Sequence, residues 1–408
     1  MSEIRNRFWI FALGLSRPGT MGGNSKIALE VARHLPSFGF DVHFIVPSDK
    51  VKTVENALGN ELPFTLHVVD AFPGDDKLRP IASVRHFIDR VRTLFRTENV
   101  GPGDVVWGIS EFHVDVLPLF RLKREFGFRW IASFFLFVPF VFENICRRYG
   151  FPVFKYIVYW FYERTLFMLA RWRADAFVVT NDTDRANFPK SFQGNVFAFY
   201  GGVNVEQISG DEISKVRDVV FCSRLHPQKG ISGLLDIWKL VLAKQPEAKL
   251  SVIGNGDPAY ERKLKDKAAR LGLGESVEWL GYVNGEEKYR IYRSARIFVH
   301  PTVFDNNGMV AAEALCSGLP VVMYDLPPLR KVYTDGCMKV PFGDKRAFAE
   351  AIIELLSGSA KVANVALGVD RLVELRAYWG WTARVDRFSK WLDCLCWGMR
   401  QEPLSWHR

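Results

Sequence analysis

Short apolar runs recur along this chain, each closed by a polar or glycine-bearing loop and followed by an amphipathic helix. FWIFALGL (8–15) leads through SRPGTMGGNS into a helix over Lys26–Phe38, and past Gly39 into FDVHFIVP. LHVVD (66–70), DVVWGIS (104–110), RADAFVV and GNVFAFYGGVN (194–204) continue the series. The pattern then restarts with VVFCSR (219–224), KLSVIGNGDPAY, VEWLGYV and RIFVH (296–300), with helices at 260–272 and 285–294 between them. Such alternation predicts a mostly parallel, doubly wound α/β sheet, with ligands outside the C-terminal ends of its strands. At 408 residues the chain is too long for one ordinary core, and the restart predicts two domains. Their predicted bounds are 1–205 and 206–380, with a helical, Trp-rich tail at 381–408 packing back across the first.

The segment HPTVFDNNGMVAAEALCSGLPVV, His300–Val322, concentrates the chemistry. It predicts a strand end, a loop Asp305-Asn306-Asn307-Gly308, and a helix over Met309–Ser317 stopped by Gly318 and Pro320. The first N–H groups of that helix face the loop and suit a phosphate. Glu313 lies one turn in, and its side chain leans back toward the loop that carries Asp305. A plain buried βα unit with two satisfied acids fits the same spacing.

Arg224 ends the first strand of the second half, and Lys229 lies in the loop after it. Two cations beside a helix start can clamp an anion, the guanidinium as a fork and the ammonium as a point charge. Both would also be ordinary as solvated surface residues. Gly22-Gly23 at the first helix start lets a backbone approach a ligand, or simply makes a tight turn. Gly254-Asn255-Gly256 resembles half of a dinucleotide fingerprint, but Ala259 replaces the third glycine and no suitable acid follows, which disfavours NAD. Asp182-Thr183-Asp184 has the D-x-D spacing of metal-dependent transferases. Residues Asn181–Asp184 nevertheless sit where helix caps belong, so a capping role is preferred and no metal site is assigned.

Hydrophobic content of 48% and charged content of 24% exclude a disordered chain, and the formal charge of +9 points to an acidic partner. From Arg121 to Arg173 ten Lys/Arg face three Asp/Glu, interleaved with the aromatic runs SFFLFVPFVFE and FPVFKYIVYWFYERTLFMLARW. Charges interrupt these runs before they reach spanning length. The segment at about 131–172 therefore predicts contact with an anionic membrane surface, with a buried or dimer face as the alternative. Nucleic acid could use similar ingredients but is the less favoured partner. Six cysteines without zinc or framework spacing read as reduced thiols, hence a cytoplasmic protein, peripheral on the inner face of the membrane.

Taken together, GTMGGNS, SRLHPQKG, VIGNGD with VEWLGYV, and FDNNGMVAAEALCSGLPVV resemble the family 4 glycosyltransferases of the GT-B fold. They stand in the family's order and cover both halves, most closely from Val219 to Asp344. The resemblance implies two Rossmann-like domains flanking a cleft and a nucleotide-diphosphate sugar as donor substrate, with neither cofactor nor metal. It implies that Arg224 and Lys229 neutralise the donor diphosphate. The family's E-x7-E motif falls on Asp305, for the donor sugar, and Glu313, for the ribose. It further implies backbone contacts to the donor from Gly308, Met309 and Val310, with Asn306 and Asn307 also in the donor site. Gly22 and Gly23 would approach the diphosphate from the other domain, with the base near Gly254 and Tyr282. Two departures stand out: Asp305 is one methylene shorter than the usual Glu, and the first-domain strand RWIASFFLFVPF lacks the His-Asp pair common near the acceptor. His113 and Asp115, near another strand end, are candidates for the acceptor side, with a structural role equally open.

The expected function is therefore a retaining glycosyltransferase acting on a lipid-linked glycan or polysaccharide precursor. A nucleotide-sugar epimerase and an inactive scaffold of the same fold are the alternatives. Sugar-nucleotide product without glycoside would mark the first, and binding without turnover the second.

Overall fold

The protein is described from a computed structural model, for residues 7–17, 21–76, 78–137, 153–208, 213–358, 365 and 367–397. Two compact units result, one of Met1–Gly201 with Trp381–Arg408 and the other of Gly202–Gly380.

In the first unit, β1 (Arg7–Phe11) is followed by α1 (Gly23–His34), β2 (Asp41–Pro47), α2 (Val51–Leu58), β3 (Thr65–Val69) and α3 (Pro80–Thr97). Then come β4 (Val105–Gly108), α4 (His113–Phe126), β5 (Arg129–Ser133), α5 (Val153–Arg173), β6 (Ala176–Val179) and β7 (Val196–Ala198). All seven strands are parallel, in the order β3-β2-β1-β4-β5-β6-β7. The inner strands are buried along their length, as a sheet covered on both faces requires. Trp9, Trp107 and Trp130 are fully enclosed there.

The second unit runs β8 (Arg217–Cys222), α6 (Ile231–Leu242), β9 (Leu250–Ile253), α7 (Pro258–Arg270), β10 (Val277–Gly281) and α8 (Gly285–Ser294). It continues β11 (Ala295–His300), α9 (Met309–Cys316), β12 (Val321–Tyr324), α10 (Pro327–Arg330), β13 (Cys337–Val340), α11 (Lys345–Leu356) and α12 (Val369–Trp379). Its six parallel strands are ordered β10-β9-β8-β11-β12-β13. The final helix, α13 (Trp381–Trp397), belongs to the first unit. There Phe388 packs between Phe8, Trp107, Phe197 and Phe199, with ring centroids 5.3–6.0 Å apart.

Three local expectations are refined. The helix expected at 260–272 begins at Pro258, because the Asp257 carboxylate accepts from the amides of Ala259 and Tyr260, at 3.0 Å each. In RWIASFFLFVPF the strand ends at Ser133, and residues 138–152 of the aromatic segment lie outside the described residues. Asn181 caps a 3-10 turn, its side chain accepting from the amide of Asp184 at 3.0 Å. Asp184 is buried against the same side chain, its carboxylate accepting from Asn181 Nδ2 at 2.9 Å.

Candidate active site

In the second unit, chain order reverses between β8 and β11, which lie side by side. At such a switch point the loops leaving the two strands diverge and open a crevice. Here those loops are Ser223–Gly230 and Pro301–Gly308, which carry Arg224, Lys229 and Asp305.

Glycines let the loops interlock. Gly230 has φ +73°, and a Cβ there would lie 1.9 Å from the carbonyl oxygen of Pro301. Gly254 has φ +132°, and its Cβ would meet the Ser223 carbonyl oxygen at 1.9 Å. Close packing of backbone on backbone thus requires glycine at both. Across the crevice floor, the Gln228 carbonyl accepts from the Val303 amide (3.0 Å) and the Thr302 hydroxyl (3.1 Å), while Gln228 Nε2 donates to the Phe304 carbonyl (2.8 Å).

On this frame Lys229 Nζ lies 2.6 Å from Asp305 Oδ2, with 20% and 12% of the two side chains exposed. Asp305 Oδ1 accepts from the amides of Asn307 (3.2 Å) and Gly308 (3.1 Å). Burial would raise the Asp305 carboxyl, but Lys229, His300 and the backbone donors hold it well below the usual carboxylate range. His300 ends β11, is 2% exposed, and has Nε2 3.7 Å from Asp305 Oδ2. Burial lowers its pKa to about 4 despite the neighbouring carboxylate, so the imidazole is neutral at neutral pH.

Gly308 caps α9 in the left-handed region, with φ +63°. Tyr333 Oη lies 2.9 Å from the carbonyl oxygens of both Asn307 and Gly308, and its ring stacks on Trp379 at 5.6 Å. The Tyr333 hydroxyl therefore ties down the loop that leads into α9. Asn306 and Asn307 are buried, and Met309 and Val310 are half-buried at the helix start. One turn in, buried Glu313 pairs with Lys288 of α8, Oε2 to Nζ 2.9 Å. Arg224 is exposed beside the crevice, and Tyr282 is exposed just beyond β10.

The second unit thus joins Lys229 to Asp305, with Asn306, Asn307 and Gly308 in the same loop and Met309, Val310 and Glu313 on the helix that follows, while Arg224 lies in the loop that carries Lys229. Lys229 in the preceding loop and a helix start with its positive dipole end are the chemistry that can hold an anion. Three residues escaped the sequence reading. Lys288 looked like one more surface charge of a polar helix, Tyr333 lies beyond the motif, and only the adjacency of His300 to the strand end hinted at it.

The remaining candidates lie in the first unit. Gly22 caps α1, its amide donating to Ser16 Oγ at 3.0 Å. Asp115 is fully buried, with Oδ1 accepting from the Gly14 amide at 3.0 Å and Oδ2 accepting from Ser110 Oγ. Burial pushes its carboxyl up to about 7, and these contacts tie the β1 and β4 loops together. His113 opens α4 with Nδ1 2.9 Å from Tyr162 Oη.

Residues 206–366 match the family model described as glycosyl transferases group 1. A phosphatidyl-myo-inositol mannosyltransferase of Mycobacterium leprae is 35% identical over 166 residues, 38% of this chain and 42% of that protein. An alpha-monoglucosyldiacylglycerol synthase of Streptococcus pneumoniae is 23% identical over 274 residues, 67% of this chain and 60% of that protein. The chain thus spans about 42–60% of the length of these two relatives. Sucrose-phosphate synthase from Thermosynechococcus elongatus superposes with a TM-score of 0.75 at 16% identity, covering 96% of this chain and 99% of that one. HepE of Anabaena, solved with UDP-glucose, gives 0.71 at 16% identity over 95% of this chain and 99% of that one. These two likenesses show the fold, two parallel-sheet α/β domains of the GT-B kind.

Proposed function

We propose that this chain, residues 206–366 of which belong to the group 1 glycosyl transferases, moves a sugar from a nucleotide-diphosphate sugar to an acceptor with retention of anomeric configuration. The observation that carries the reading is the cation–acid pair Lys229–Asp305 in the loops before α9, with Glu313 one turn into that helix. The bound UDP-glucose of HepE supports the donor class.

In this reading the diphosphate displaces Asp305 as the partner of Lys229, and Arg224 forks onto its oxygens. Glu313, oriented by its ion pair with Lys288, accepts from the ribose hydroxyls. Asp305, released from Lys229, accepts from a sugar hydroxyl, while the base lies toward Tyr282. As the bond between the anomeric carbon and the phosphate oxygen breaks, its electron pair goes to the diphosphate. Arg224, Lys229 and the α9 dipole meet that growing charge, an interaction stronger in the transition state than in the ground state. The acceptor hydroxyl oxygen forms the new glycosidic bond on the same face, and its proton passes to the departing phosphate oxygen.

A lipid-linked acceptor is part of the proposal. It is supported by the names of two relatives, a phosphatidyl-myo-inositol mannosyltransferase and an alpha-monoglucosyldiacylglycerol synthase. A thermal-shift screen against nucleoside diphosphates and their sugars, followed by transfer assays with lipid extracts and soluble sugars, tests it. A donor that stabilises the protein and glycosylates a lipid supports both halves. Transfer only to soluble acceptors removes the lipid half, and absence of any nucleotide-sugar binding removes the whole.

A further inference from the structure

We infer that the exposed face of α5 is a docking surface for an anionic phospholipid bilayer. Phe154, Val158, Phe161, Met168 and Trp172 are all at least half exposed, from 52% at Val158 to 77% at Phe154. Their spacing of four, three, seven and four residues puts them in one straight stripe of the helix, interrupted only by Thr165. Thr165 Oγ1 donates to the Phe161 carbonyl at 2.8 Å, so its hydroxyl is satisfied within the helix and its methyl adds to the stripe. From Phe154 to Trp172 the stripe runs about 27 Å along the surface.

Cations flank it on both sides. Exposed Arg171 lies on one flank and half-buried Arg173 on the other, where Arg173 also donates to the Phe120 carbonyl at 2.8 Å and sits over the Phe120 ring at 4.1 Å, while Arg164 turns back over the Phe137 and Trp160 rings, 5.5 and 5.7 Å from their centroids. Exposed Arg121 and Arg124 of the neighbouring helix α4 extend the basic rim. Large aromatics with arginines at their margins suit a helix lying in a bilayer interface, rings among the acyl chains and guanidinium groups among the phosphates. Among the described residues no helix is long and apolar enough to cross a membrane, so the contact lies on the surface.

A second copy of the chain is the competing occupant, and charge argues against it. The flanks of two paired stripes would face each other as arginine against arginine, without the acid-base pairing that helix dimers use. The only acid of α5, Glu163, is buried on the opposite side. This surface lies in the first unit and does not depend on the transfer reading, so either proposal can fail alone.

Co-sedimentation of the full chain with vesicles of phosphatidylcholine alone, or with about 30% phosphatidylglycerol, tests the inference. The wild type should bind the anionic vesicles at least about tenfold more strongly than the neutral ones and lose that preference near 1 M salt. Phe161→Glu/Trp172→Glu should lower binding at least about tenfold, with an unchanged melting temperature and unchanged nucleoside diphosphate binding. Val369→Glu, at a site 80% exposed in the second unit, should bind vesicles as the wild type does. Wild-type-like vesicle binding by the double variant would overturn the inference. So would a wild type that binds neither vesicle, or a dimer that the double substitution dissociates while vesicle binding persists.

Discussion

Replacing Asp305 by Asn should tighten nucleoside diphosphate binding while slowing sugar transfer. In the free protein the carboxylate occupies the cation that the diphosphate needs, with Lys229 Nζ 2.6 Å away. At that distance and an effective dielectric of about 20, the attraction is roughly 6 kcal/mol, of which desolvation of the two groups offsets most. A net coupling of about 1–3 kcal/mol remains, and a diphosphate must compete with it. Asparagine keeps an oxygen for the amides of Asn307 and Gly308 but leaves Lys229 without its counter-charge. Titration calorimetry with UDP and GDP should therefore show one of them binding about 5- to 150-fold more tightly to Asp305→Asn. Transfer from the sugar nucleotide should fall about 100-fold, because the contact to the sugar is weakened. Lys229→Ala should lose diphosphate affinity and about 1–3 kcal/mol of stability, since it strands a largely buried carboxylate. In the double variant the two stability effects should combine to less than their sum. Weaker diphosphate binding by Asp305→Asn, or strict additivity of the stability changes, would show that Asp305 does not compete with the diphosphate for Lys229.

Gly308→Ala forces a side chain into φ +63°, with its Cβ 3.3 Å from His300 Nε2; a loss of about 1–2 kcal/mol in thermal unfolding is expected, with donor binding weakened in parallel. Lys288→Met should destabilise the protein by about 1–3 kcal/mol and raise KM for the donor more than it lowers kcat, because it disturbs Glu313 at the nucleoside end; steady-state kinetics separate the two. Asp115, raised to about 7 from its ordinary value near 3.8, favours the protonated form in the folded state. Its contribution to stability is full below about pH 4 and is lost as pH rises through 7, so Asp115→Asn should flatten the pH dependence of denaturant midpoints between pH 4 and 8.

Strand-loop-helix alternation made both sheets legible, because βα units with apolar strands leave few other packings. The Lys229–Asp305 contact was legible for a similar reason: both residues sit in loops that leave the adjacent strands β8 and β11, where local geometry decides what they face. Lys288 and Tyr333 were not, since each reaches the site through tertiary packing from another element. Gly254 shows the converse. Its sequence context suggested a ligand approaching the backbone, and the structure supplies a reason internal to the fold, the Ser223 carbonyl. The β1–α1 glycines remain candidates on resemblance alone, whereas Asp115, drawn toward the acceptor by its place in SEFHVDVLP, ties two loops together beneath the strand ends.

Initial rates of sugar transfer by Lys229→Ala, compared with the wild type using the donor found by thermal shift, test the central claim most directly. The wild type should form a glycoside and the variant's kcat should fall about 100- to 1000-fold, the effect of removing one preorganised partner of the leaving group. Near-normal turnover by Lys229→Ala, or a wild type that consumes the donor without making a glycoside, would contradict that claim.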